Sequence, residues 1–147
     1  MDGGPFGGDG RAVYRERRRV EWIDTDAGGR IHFTAVFRWA ESAEYSLLRQ
    51  VNAPSLTTFP RRHVEATYHR ALRFGDEFDL EITTGKVGRT SIVYEWRGVK
   101  DGELYFDGTI ACVNVDENGH PAELPEALRA GLLGRASAST ETGTETR

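Results

Sequence analysis

Between Thr34 and Val51 the apolar residues Val36, Phe37, Ala40, Ala43, Leu47, Leu48 and Val51 recur at helical spacing, while Arg38, Glu41, Ser42, Tyr45 and Arg49 mark the other side. The spacing predicts one long helix over about residues 34–51 with a single apolar face. Upstream, residues 13–23, VYRERRRVEWI, carry β-branched and aromatic side chains without a breaker and predict a strand. After Pro54 and Pro60 the period is two: Phe78, Leu80 and Ile82 alternate with Glu77, Asp79, Glu81 and Thr83, and Ile92, Tyr94 and Trp96 continue it. Lys100-Asp101-Gly102 supplies a hairpin turn into LYFDGTIACVNV, so strands are expected to about residue 116. The predicted order is strand, helix, then about four strands. An antiparallel sheet with one apolar face wrapped around that helix gives an α+β fold of two layers around one core.

A chain of 147 residues with 38% hydrophobic content fits one domain, placed at residues 11–133. Residues 1–10 are Gly-rich and residues 134–147, GRASASTETGTETR, are small and polar, so both are expected to be flexible. The net charge of −4 argues against a polyanion-binding surface, and the one dense basic run, Arg15 to Arg19, is broken by Glu16. No nucleic-acid partner is expected. Cys112 is the sole cysteine, which excludes an intramolecular disulfide and a CxxC pair and reads as a small core residue. The first ten residues lack the charged and apolar regions of a signal peptide, and no apolar run approaches the ~20 residues that span a bilayer. A cytoplasmic protein without a membrane partner is expected.

The chemistry concentrates in DTDAGGRIHF, Asp24 to Phe33, immediately before the helix. Helix N-termini present N–H groups without intrahelical acceptors, so a carbonyl oxygen gaining charge is stabilised there while a nearby Asp attacks or activates water. Asp24 and Asp26 both qualify. Gly28 and Gly29 permit a sharp turn and close backbone approach after Asp26, and the plain alternative is that Asp-Ala-Gly-Gly is only a turn. As a calcium loop the motif fails, because Gly28 and Ala35 would occupy ligand positions. His32, His63, His69 and His120 show no metal-ligand spacing, and only His32 lies close enough in sequence to Asp26 to orient a substrate. There is no GxSxG elbow, and Cys112 has no basic sequence neighbour to activate it. Neither metal nor cofactor is expected.

The stretch VEWIDTDAGGRIHFTAVFRWAESAEYSLLR resembles the start of hot-dog fold acyl-CoA thioesterases of the 4-hydroxybenzoyl-CoA thioesterase type, whose pattern is an aromatic residue, D-x-D-x-x-G, aromatic residues and R-W-x-E/D along the helix. The resemblance continues through HVEATYHRALRFGDEFDL, GRTSIVYEW and DGELYFDGTIACVNVDENGHPAELP, over about residues 13–126. It implies a hot-dog fold, with about five strands around a central helix, and hydrolysis of an acyl-CoA or acyl-carrier-protein thioester. It further implies Asp26 as nucleophile or general base and the Phe33 N–H as donor to the thioester oxygen. Gly28, Gly29, His32 and Glu41 then belong to the substrate site, Arg89, Thr90 and Ser91 contact coenzyme A phosphates, and the protein forms a homodimer or homotetramer. Two positions depart from the pattern: the imidazole of His32 is displaced by one residue, and an Asn usual before the next aromatic is absent. An Asp of ordinary pKa, about 3.9, is a poor base at neutral pH, so the base route needs a raised value and the nucleophilic route does not. Two alternatives use the same fold: a non-catalytic acyl-thioester-binding module and a hydratase or dehydratase.

Overall fold

The computed structural model describes residues 4–54 and 59–135. In chain order these form β1 (Val13–Arg19), a 3-10 turn (Trp22–Asp24), α1 (Ala35–Gln50), β2 (Arg61–Tyr68), β3 (Glu77–Val87), β4 (Ser91–Lys100), β5 (Glu103–Val113) and α2 (Glu126–Leu132). The strands make one sheet in the order β1-β3-β4-β5-β2, antiparallel throughout. This is the hot-dog arrangement. The apolar face of α1 lies on the inner face of the sheet, where Val36, Ala40, Ala43 and Leu47 are buried with Phe78, Leu80, Ile82, Ile92, Tyr94 and Phe106. Trp39 belongs to the same face, its ring 4.8 Å from that of Phe78, whereas Phe37 is only half-buried.

Two glycines set how closely the central strands pack. Trp96 of β4 sits opposite Gly108 of β5, and Phe106 of β5 sits opposite Gly98 of β4. Each ring therefore covers a position with no side chain, and a Cβ at Gly108 would lie 2.5 Å from the Trp96 ring. The β4–β5 turn is closed by Asp101 and Gly102 with φ of 52° and 79°, the left-handed pair that a two-residue hairpin requires.

Three local features depart from the periodicity. The strand expected over residues 13–23 stops at Arg19, because the Asp24 carboxylate accepts the Glu21 N–H at 2.8 Å and curls Trp22–Asp24 into a 3-10 turn. The second helix, α2, is too short to announce itself by period, yet it buries Leu128, Ala130 and Leu132. At the N-terminus, residues 4–10 include a bridge from Phe6 to Ala12 and the Pro5 carbonyl, which accepts the Val13 N–H at 2.7 Å. Most of the polar tail, from residue 136 onward, and residues 1–3 lie outside the described residues.

Glu44 is the unexpected member of the core. It occupies the apolar arc of α1 and is buried, and Arg61 of β2 grips it with one nitrogen 2.6 Å from Oε1 and another 3.1 Å from Oε2. Burial raises its pKa above the ordinary 4.5, an effect only partly offset by Arg61. The folded protein thus holds this proton more tightly than the unfolded chain does. The associated stability is fullest below 4.5 and is lost as pH rises through the raised value. Glu44→Gln should flatten that part of the pH dependence in urea melts; an unchanged profile would exclude Glu44 as its source.

Candidate active site

The segment between β1 and α1 is a small hairpin held at several points. Thr25 and Ile31 face each other across an antiparallel bridge, and the Asp26 N–H donates to the Arg30 carbonyl at 2.8 Å. Asp26 Oδ1 accepts the Gly28 N–H at 2.8 Å, and Gly29 takes φ of 83°, the conformation a glycine supplies without strain. Asp24 and Asp26 have different surroundings. Asp24 is buried, with Oδ2 on the Glu21 N–H and Oδ1 3.2 Å from the Arg38 guanidinium. Asp26 is exposed and makes no ion pair with any described residue. Asp24 is engaged by Glu21 and Arg38, whereas Asp26 Oδ2 has no partner among the described residues.

Phe33 follows two residues beyond the bridge, at the entrance to α1. Its N–H donates to no described residue, while its carbonyl accepts the Tyr68 hydroxyl at the end of β2. His32 turns to the helix start: Nδ1 accepts the Thr34 N–H at 3.2 Å and lies 2.8 Å from the Thr34 hydroxyl, with its ring stacked on Phe33 at 4.8 Å. Nδ1 as acceptor leaves the proton of the neutral ring on Nε2. A cavity of about 340 Å³ opens here, lined by Arg30, Ile31, Phe33, Tyr68, His69 and Arg70.

Asp26, Gly28, Gly29, His32 and Phe33 therefore belong to one hairpin and helix entrance. Glu41 does not join them. It is exposed two turns along α1, 3.3 Å from Arg61, and borders a separate cavity with Phe37, Val64 and Ile110. Arg89, Thr90 and Ser91 lie at the β3–β4 turn, with Arg89 3.4 Å from Glu123. The Asp26 hairpin bridges instead to Arg73, just before β3 begins. The 11 residues of β3 separate these ends by about 33 Å at strand rise. Sequence reasoning missed Asp24 as a structural acid, Tyr68 as the clamp on Phe33, and the Glu44–Arg61 pair. Only Glu44 left a sequence signal, a charged residue on the apolar arc between Ala40 and Leu47. Cys112 is buried as expected, and burial pushes its thiol up to about 12.

The pattern of the thioesterase superfamily matches residues 28–105, just over half of the chain. The chain belongs to the thioesterase superfamily. The match begins two residues after Asp26. Among thioesterase relatives, the chain is 31% identical over 114 residues to a 1,4-dihydroxy-2-naphthoyl-CoA hydrolase of Prochlorococcus marinus, covering 68% of this chain and 74% of that one. Among solved structures, a thioesterase of Thermus thermophilus complexed with coenzyme A and Zn superposes with a TM-score of 0.76 at 26% identity, covering 88% and 97% of the two chains. A 1,4-dihydroxy-2-naphthoyl-CoA thioesterase from Synechocystis shares the fold with a TM-score of 0.72 at 19% identity, covering 82% and 96%. Within the superfamily fold of this chain, no helix among the described residues is long and apolar enough to cross a membrane.

Proposed function

We propose that this protein hydrolyses acyl-CoA thioesters, with Asp26 as the reacting carboxylate and the Phe33 N–H as the donor to the thioester oxygen. The observation that carries this reading is the presence, on one hairpin and the helix entrance it leads into, of an exposed carboxylate without an ion partner and an N–H without an acceptor among the described residues. In the proposed reaction Asp26 either displaces the thiolate to give an acyl-aspartyl anhydride that water then hydrolyses to the free acid and Asp26, or deprotonates a water that attacks the carbonyl carbon; on both routes the C–S bond breaks and the departing thiolate takes up a proton. A donor aimed at the developing oxyanion contributes on the order of 3 kcal/mol in the transition state. The names of the curated relatives favour an aromatic acyl group. Thiol release from a panel of aromatic and aliphatic acyl-CoAs tests this: turnover is expected on at least one, and no release above buffer on any would overturn it.

The proposed working unit is a homodimer formed through β2. This strand is a sheet edge with unpaired backbone groups, and it exposes Val64 and Tyr68. Antiparallel pairing of two β2 edges reverses the second copy, bringing its Arg61 end beside the Tyr68 end of the first. Light scattering should give at least about twice the chain mass of 16.4 kDa; active protein at the single-chain mass would refute the dimer.

Arg89, Thr90 and Ser91 are too far from Asp26 to serve it within one protomer, so their proposed contact with coenzyme A is made from the second copy. Arg89→Ala is expected to raise KM for acyl-CoA about tenfold with little change in kcat, the scale of one lost charge-assisted contact. Equal losses on acyl-CoA and acyl-pantetheine would remove the phosphate role.

A further inference from the structure

Several arginines of the sheet are matched by an acid across the ladder. Arg15, Arg17, Arg19 and Arg97 each sit opposite a Glu or Asp on a neighbouring strand. Arg30 and Arg73, however, face each other across an isolated antiparallel bridge, both exposed and neither ion-paired with a described residue. Residues opposed in this way project to the same face at close range, and like charges so placed destabilise the pair. Asp76, three residues after Arg73, spends Oδ2 on the Arg73 backbone N–H at 2.9 Å. Phe74 follows Arg73 directly in the chain and pairs with Trp22: Trp22 is 76% exposed, Phe74 is 56% exposed, and their rings meet edge to face at 5.9 Å. The feature joins the candidate active site directly, since the Arg30 carbonyl accepts the Asp26 N–H.

Two arginines paired across one bridge, without an ion partner among the described residues and continuous with the Asp26 hairpin, fit a phosphate-bearing ligand, and the exposed Trp22 and Phe74 rings suit one with a flat face. We propose that Arg30 and Arg73 bind a phosphate of the thiol carrier, with Trp22 and Phe74 offering the adjoining surface to its base. The site rests on the thioesterase reading for the identity of its ligand. It is distinct from Arg89, which lies at the other end of the sheet. Coenzyme A carries a diphosphate and a separate ribose phosphate, so the two groups are not redundant.

The position of the tryptophans supplies the readout, because Trp39 and Trp96 are buried and Trp22 is not. Coenzyme A, 4′-phosphopantetheine and pantetheine are titrated into the full-length protein, following Trp emission and heat of binding. Coenzyme A should change the emission, Trp22→Phe should abolish that change, and pantetheine should bind at least about tenfold more weakly. Arg30→Gln and Arg73→Gln should each weaken coenzyme A binding by about five- to tenfold. Each should also raise the melting temperature of the free protein by about 1–3 °C, since repulsion is relieved. Arg→Lys at either position should retain most of the affinity. Tighter binding of coenzyme A than of 4′-phosphopantetheine assigns the phosphate to the nucleotide; equal binding assigns it to the arm that a carrier protein also presents. Binding of pantetheine as tight as that of coenzyme A, or undiminished coenzyme A binding by the double Arg→Gln variant, would overturn the site. None of these measurements needs turnover. A protein that binds coenzyme A as described but cleaves no acyl-CoA would refute the catalytic reading alone.

Discussion

Asp26→Asn is expected to lower kcat for thioester hydrolysis by about 10²–10⁴ while leaving binding and the melting temperature close to those of the parent. The substitution is nearly isosteric. An Asn oxygen can still accept the Gly28 N–H that Asp26 Oδ1 now accepts at 2.8 Å, so the hairpin keeps its turn while the charge and nucleophilicity disappear. Asp24→Asn should show the opposite profile. It keeps an acceptor for the Glu21 N–H but loses the pairing of a buried carboxylate with Arg38, so stability suffers more than the chemical step. Steady-state kinetics alongside thermal melts of both variants decide the assignment. Near-parental turnover in Asp26→Asn together with its loss in Asp24→Asn would show that the wrong acid had been chosen.

The largest expected loss of stability comes from a residue with no side chain. At Gly108 an added Cβ would collide with the Glu65 carbonyl on β2 and lie 2.5 Å from the Trp96 ring. Neither can yield cheaply: Trp96 is buried against Phe106 at 6.0 Å, and the Glu65 backbone belongs to the β2–β5 ladder. Gly108→Val should therefore cost about 3 kcal/mol or more, lowering the melting temperature by about 10 °C. The damage should appear first in β2, the proposed dimer edge, as a shift toward the single-chain mass at low concentration. Gly8→Ala is the control, since nothing lies within 4 Å of a Cβ there. A parental melting temperature for Gly108→Val would mean that β4, β5 and β2 pack less tightly than their geometry indicates.

The distances over which the relevant contacts act determine how much of this could be read from the chain. The periodic spacing of Val36, Ala40, Ala43 and Leu47 and the alternation of Phe78, Leu80 and Ile82 reflect burial on one face of a regular element, which a local pattern encodes. The Lys100-Asp101-Gly102 turn is equally local, because its left-handed φ values are a property of those two residues. β1 ends before Trp22 and Ile23, which are strand residues by type, because the Glu21 N–H donates to the Asp24 carboxylate and turns them. In the hairpin, Gly28 and Gly29 favour Asp26 by its place in the chain, but the burial of Asp24 against Arg38, fourteen residues away, is not a local property.

By itself, then, the sequence determined the order of the strands and the long helix, the two-layer α+β class, the apolar face of α1 and the place where a carboxylate and glycines precede a helix. These follow from periods of 3.6 and two and from the conformational preferences of Gly, Asp and Pro. Tertiary structure decided which acid is spent on Arg38, that Tyr68 holds the Phe33 carbonyl, that Glu44 is buried against Arg61, and that Arg30 meets Arg73. It also set Arg89 at the far end of the sheet from Asp26. Such pairings join residues 14 to 43 positions apart through strand register and helix docking, and no window along the chain contains both partners.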